Sequence, residues 1–185
     1  MHPNFLTHYY LPDRKPFLNL SSLNEADLNA VLEELRHKTE IGENKRMFSD
    51  WYVAERKISE QHLKKEFLKK GGIIEKEYPH YFVFGESLIQ KGLAKNTKEI
   101  RLELNQLPLE KISFTYPDSM ATMVLKDDEL YKMPYHGKVF AYSEIIEIIK
   151  EFGFPKDEIA NTSKFHFPLY VEAQLWSDAP VAHFL

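Results

Sequence analysis

The sequence predicts an α+β protein, an N-terminal helical segment packed on a mostly antiparallel sheet with one further helix. Three observations carry this expectation. Apolar residues recur at helical spacing between Leu28 and Phe67, the pair Gly71-Gly72 closes that region, and beyond it apolar and polar residues alternate in short runs. The chain therefore divides into a helix-rich part, 20–72, and a strand-rich part, 73–185. Both belong to a single domain, 1–185, because 185 residues with 43% hydrophobic and 28% charged suffice to bury one core.

The first helix is marked by Ser22 and Glu25 in capping-box spacing. Leu28, Val31, Leu32 and Leu35 follow as one apolar stripe, Glu25, Asp27, Glu33 and Glu34 load the outer face, and Gly42 lies past the end. A second helix is expected over about 50–70 with Ser49 as its cap and Trp51, Ala54, Ile58, Leu63 and Phe67 buried. Gly71-Gly72 ends it, and Lys64, Lys65, Lys69 and Lys70 complement its C-terminal dipole or, less simply, form an anion-binding patch.

After the glycines, His80 to Phe84 is a continuous aromatic and β-branched run between Pro79 and Gly85, as in a strand covered on both faces. Ile100, Leu102 and Leu104 alternate with charged residues, and Ile112, Phe114 and Tyr116 repeat the pattern up to a turn at Pro117-Asp118-Ser119. Met123-Val124-Leu125 and Lys138-Val139-Phe140 are shorter strand candidates, with a turn at Asp127-Asp128. A third helix starts after Ser143, with Ile145, Ile146, Ile148, Ile149 and Phe152 as its apolar face and Gly153 and Pro155 at its end. The last strand runs from Leu169 to Trp176.

Several function classes are excluded by what the chain lacks. With no cysteine there is no disulfide, thiolate nucleophile or cysteine-based metal site, as expected of a cytoplasmic protein. The eight histidines show no zinc spacing, so no metal site is expected. Seven glycines form no phosphate loop, and no serine stands in a nucleophile elbow. Pro117-Asp118 opens like a PD-(D/E)-x-K nuclease pattern, but Glu129 stands three residues before Lys132, which would put the two on opposite faces of a strand. A net charge of −4 argues against general nucleic-acid binding, and no long apolar run or basic-then-apolar leader points to a membrane or to export. A soluble, cytoplasmic protein is expected.

The last strand is the most informative segment. Alternation puts Leu169, Val171, Ala173 and Leu175 on an apolar face and Tyr170, Glu172, Gln174 and Trp176 on the other. A carboxylate and an amide between two rings suit either a ligand-facing surface or an ordinary solvent-facing strand. His8, His80-Tyr81, Glu86 and Tyr135-His136-Gly137 also sit within apolar segments, where buried polar groups need partners.

The segments Pro79 to Gly85, Ile112 to Ser119 and Tyr135-His136-Gly137 resemble motifs of a small bacterial family without assigned function. More distantly, the order of parts resembles NAD-using ADP-ribosyltransferases. That resemblance implies His8, Tyr81 and Glu172 as the catalytic residues, with Glu172 stabilising positive charge at the nicotinamide ribose. The chain departs from that pattern in lacking Gly-Thr after His8, in its long helical insert, and in having Gln174 where some members place the acid.

Three functional expectations follow. One is a small-ligand or nucleotide pocket lined by Tyr170, Glu172, Gln174, Trp176, Tyr81 and His8, with His136 as a further ligand-binding residue. The second is the NAD-dependent transferase. The third is a non-catalytic interaction module using the aromatics of the last strand or the Pro-Val-Ala-His-Phe-Leu tail.

Overall fold

The computed structural model describes residues 2–155, 159–161 and 166–185. In chain order the elements are β1 (Phe5–Tyr10), a 3-10 turn (Leu20–Ser22), α1 (Glu25–Glu40), α2 (Tyr52–Lys69), β2 (His80–Phe84) and α3 (Leu88–Lys91). They continue with β3 (Lys98–Glu103), two 3-10 turns, β4 (Ile112–Thr115), α4 (Ser119–Leu125) and α5 (Tyr142–Phe152). The strands β5 (Ile159–Asn161) and β6 (His166–Pro168), then β7 (Glu172–Leu175) and a 3-10 segment (Ala179–Phe184), complete the fold. Five strands pair antiparallel in the order β3-β1-β2-β7-β4, and β5 with β6 forms a separate hairpin. This is the expected α+β architecture, with three helices rather than one after the glycine pair.

The register sorts the side chains into two faces. Phe82 pairs with Ala173 and Phe114 with Ala173, so these residues share a face with Leu6, Phe84, Ile112 and Leu175. That face is the main core, closed by Ile145 and Ile149 of α5. Tyr81 and Ser113 pair with Gln174, and Val83 and Thr115 pair with Glu172, so these share the opposite face with Thr7. A slip of one residue would exchange the two sets, and the wholly apolar first set is what forbids it.

The second face is polar and also buried, under α2 and α4, with Ser59 Oγ of α2 donating to the Ser119 carbonyl at 3.0 Å. This explains why α2 presents a different stripe from the one expected. Val53, Arg56, Glu60, Leu63 and Phe67, spaced by three and four, meet the sheet, whereas Trp51 and Ile58 are 60% and 56% exposed. The middle of the stripe is charged because the sheet opposite it is polar. Its C-terminal end is apolar, where Leu63 and Phe67 pack on Trp176 and Val139. Gly71 takes φ +80° to close the helix, and a Cβ on Gly72 would come within 2.5 Å of the Phe67 ring. Lys69 and Lys70 bond Glu66 and Glu144, the second tying α2 to α5.

Local punctuation differs from expectation in four places. Asn24, not Ser22, caps α1, accepting from Asp27 N at 2.9 Å, while Ser22 donates to the Asn19 carbonyl within the 3-10 turn. α2 starts at Trp51-Tyr52 with no side-chain cap from Ser49. Pro117-Asp118-Ser119 opens α4, so Met123–Leu125 is helical rather than a strand, because Asp118 caps the amides of Met120 and Ala121. Of Lys138–Phe140, only Phe140 pairs, as a bridge to Phe114. Among the described residues no helix is long and apolar enough to cross a membrane.

The two faces of α2 give a direct check. Leu63→Ala should lower the unfolding free energy in urea by about 3 kcal/mol, whereas Ile58→Ala should change it by less than about 0.5 kcal/mol.

Candidate functional site

The site grows from β7. Alternation and antiparallel pairing bring Glu172, Gln174 and the following Trp176 onto the polar face, where they are 7%, 0% and 0% exposed. The solvent-facing alternative for this strand is therefore incorrect, because α2 and α4 cover it. Buried polar groups must be paired, and here the pairing runs in one direction. Trp176 Nε1 donates to Ser113 Oγ at 2.9 Å, and Ser113 Oγ donates to Gln174 Oε1 at 2.7 Å. Gln174 Nε2 then donates to Glu172 Oε1 at 3.0 Å and to Thr115 Oγ1 at 3.1 Å. An indole N–H can only donate and Glu172 Oε1 accepts, so the bonds run in one direction from Trp176 to Glu172.

Glu172 Oε1 also accepts from the Ser119 amide at 3.1 Å, at the start of α4. With two donors on Oε1, a proton on this carboxyl belongs on Oε2, which meets the Tyr170 hydroxyl at 3.2 Å. Burial, then the charge of Asp118, pushes the Glu172 pKa up to about 7, against the pull of Ser119, Gln174 and Arg56. Asp118 is itself raised by burial, although the amides of Ala121 and Met120 favour its charged form. The charge of Asp118 thus adds to burial in favouring a proton on Glu172.

Arg56, Glu60 and Tyr81 complete the wall. The Tyr81 hydroxyl donates to Glu60 Oε1 at 2.8 Å, Arg56 Nε reaches the same oxygen at 3.2 Å, and Arg56 Nη1 donates to the Tyr52 hydroxyl at 3.0 Å. The guanidinium lies 4.3 Å from the Tyr81 ring centre. Burial opposes the Arg56 charge, but Tyr52, Tyr81, Glu60 and Glu172 outweigh it and hold the side chain protonated. Burial likewise lifts the phenols of Tyr81 and Tyr170 well above their ordinary range, so both are hydrogen-bond donors at neutral pH. Arg56, Tyr81, Asp118 and Tyr170 are each only partly exposed, and burial is the largest influence on all four. Arg46, bonded to Gln90 Oε1 at 2.7 Å, is near enough for its charge to act on Asp118 and Tyr170.

The structure thus brings together Tyr81, Tyr170, Glu172 and Gln174, with Trp176 as the buried start of the chain rather than a ring facing a ligand. It does not bring His8 to them. His8 is on the opposite face, its Nδ1 on the Tyr81 carbonyl at 2.8 Å and its Nε2 accepting the Phe17 amide at 3.0 Å. Burial holds it neutral, with a pKa of about 4. His136 pins the loop after α4, Nδ1 accepting the Met133 amide at 3.0 Å and the ring also bonded to the Leu125 backbone, again with a pKa near 4 through burial. Both ring nitrogens of His8 are thus engaged within the chain. The C-terminal tail is docked as a 3-10 segment, with Val181 buried and Phe184 against Phe17, so it is no free interaction arm.

Sequence reading missed Arg56, Glu60 and Asp118. Arg56 and Glu60 stand four apart in register with Val53, Leu63 and Phe67, and that spacing was the available signal. Asp118 was read as a turn residue. Among the described residues no three metal-binding side chains converge. The chain matches no protein-family model, curated protein or solved structure.

Two pH dependences of opposite sign follow. Glu172 holds its proton more tightly folded than unfolded, so stability falls as pH rises from about 4.5 to about 7. Glu172→Gln mimics the protonated acid and should stabilise the protein by about 1–3 kcal/mol at pH 8 and by almost nothing at pH 4. His8 and His136 are depressed from 6.5 to about 4, so their contribution is complete above pH 6.5 and is lost toward pH 4. In the Glu172→Gln background, urea unfolding should therefore show a loss of about 2 kcal/mol from His8 between pH 7 and pH 5, abolished in His8→Gln, with a smaller loss from the less buried His136.

Proposed function

We propose that this chain binds a small polar molecule, nucleotides included, in the crevice between α2, β2, β7 and the start of α4, and that Glu172 exchanges a proton with it. The single observation behind this reading is the unequal use of the Glu172 carboxyl. Oε1 is filled by Ser119 N and Gln174 Nε2, while Oε2 meets only the hydroxyl of Tyr170 among the described residues. A carboxyl whose proton is lost near neutrality is suited to act as acid or base.

The roles divide by chemistry. Glu172 Oε2 gives or takes the proton, which burial, and then the charge of Asp118, keeps bound up to neutral pH. The Tyr170 hydroxyl donates to whichever oxygen bears negative charge. Arg56 and Arg46 supply positive charge at the wall and mouth, and the rings of Tyr52 and Tyr81 border the floor. Tyr81 and Glu172 lie on one face of the sheet, which is compatible with the NAD-dependent alternative. The histidine of that alternative has no counterpart, since His8 is across the sheet with both nitrogens engaged.

A thermal-shift panel of nucleotides, including NAD, and small polar metabolites tests the reading, because a ligand that binds only the folded state raises the melting temperature. The ligand found should bind at least tenfold more weakly to Tyr170→Phe, and its affinity for the native chain should change with pH around 7 but not for Glu172→Gln. Equal binding by all three proteins, or no ligand in the panel, would count against the crevice.

A further inference from the structure

His80 opens β2 and is buried, yet one of its nitrogens meets two charges at once. Nε2 lies 2.7 Å from Lys76 Nζ and 2.7 Å from Asp178 Oδ1, and Lys76 Nζ lies 2.6 Å from the same oxygen. These three atoms form a closed triangle. A ring nitrogen has either a lone pair or a proton, so Nε2 can accept from the ammonium or donate to the carboxylate, but not both. A bare Nε2 lets the ammonium bridge both acceptors with one N–H each, whereas a proton on Nε2 would face the N–H bonds of Lys76. The neutral ring therefore carries its proton on Nδ1. That nitrogen is sealed from water without a well-aligned partner among the described residues, although the Phe17 backbone is close enough to favour a proton on the ring.

A second proton, taken from water onto Nε2, reverses the arrangement. The imidazolium donates to Asp178 Oδ1 in a charge-assisted bond and repels the ammonium beside it. His80 is fixed in the sheet, opposite Leu175, while Lys76 is only half-buried on a flexible four-carbon stem, so the lysine is the group that yields. The surroundings agree with this competition. Burial and then Lys76 lower the His80 pKa, against Asp178 and the Phe17 backbone. The titratable neighbour from β1 is His8, which stays neutral down to about pH 4. Asp178 is held below its ordinary range, first by Lys76, and remains ionised through the exchange.

We propose that Lys76, His80 and Asp178 form an acid-sensitive clasp, in which protonation of His80 transfers Asp178 from the ammonium to the imidazolium and releases the Lys76 side chain. Asp178 leads into the 3-10 segment whose Val181 is buried and whose Phe184 packs on Phe17. That segment stays tethered in both states, because Asp178 always keeps a cation. Its neighbours are also held independently, the Glu75 amide donating to the Trp176 carbonyl at 2.9 Å and Ser177 Oγ to Glu75 Oε2 at 2.6 Å. The movement is therefore confined to Lys76, which lines two surface depressions of about 200 and about 500 Å³ together with Glu77. Acid adds a free ammonium to the surface between them.

The test is an NMR titration of the intact, isotopically labelled chain from pH 8 downward, reading the imidazole nitrogens and the lysine Cε signals. At pH 8 the His80 ring should carry its proton on Nδ1 with Nε2 bare. A transition below pH 6.5 should protonate Nε2 while the chain stays folded, and the Lys76 Cε signal should shift with the same midpoint. Lys76→Met should raise that midpoint by about half a pH unit or more and move the neutral ring's proton to Nε2, facing Asp178. Asp178→Asn should lower it. A proton on Nε2 in the native chain at pH 8 would overturn the clasp. So would a Lys76 signal that ignores the His80 transition, an unchanged midpoint in Lys76→Met, or a ring that stays neutral until the chain unfolds. If Lys76→Met does not fold, the tautomer and the shared midpoint in the native chain decide the matter.

Discussion

The hydrogen bond from Gln174 Nε2 to Glu172 Oε1 joins two side chains on one strand, two residues apart, both cut off from water. Much of the rest of the molecule is arranged around the need to satisfy that pair. Ser113 and Thr115 of β4 hold the amide, Ser113 being held in turn by the indole of Trp176, and the first amide of α4 and the hydroxyl of Tyr170 donate to the acid. Removing one partner from such a network leaves another buried group unpaired, which costs more than the bond itself contributes. The network therefore fixes side-chain orientation as firmly as packing would.

A sheet with one apolar and one polar buried face imposes a matching demand on its cover. α5 meets the apolar face with isoleucines, in the usual way. α2 meets the other with Arg56 and Glu60 between apolar ends, so that charge lies on charge and ring on ring. The cost of burying the guanidinium is offset by two phenols and two carboxylates around it. Such an arrangement leaves pKa values displaced, and displaced values near a solvent opening are where acid–base chemistry is economical.

The histidines show how burial alone can misdirect a reading. Burial lowers the pKa of both His8 and His136, yet both nitrogens of His8 and Nδ1 of His136 are bonded to backbone. His8 nonetheless bears on the crevice indirectly, because it holds the carbonyl of the residue that carries the Tyr81 phenol. It is part of the scaffold beneath the site.

Composition and periodicity by themselves determined the α+β class, the end of α2 at the glycine pair, the strands at His80 and Ile112, and the face shared by Tyr170, Glu172, Gln174 and Trp176. These are local properties, because a two-residue period and a glycine's positive φ are set within a few residues. What covers that face was decided only by the tertiary structure. Whether Glu172 meets water or α2, whether Arg56 and Glu60 point out or in, and on which side of the sheet His8 stands depend on strand order and on contacts between residues far apart in the chain. Hydrophobic pattern is blind to a polar stripe buried against a polar sheet, since each half makes sense only in the presence of the other.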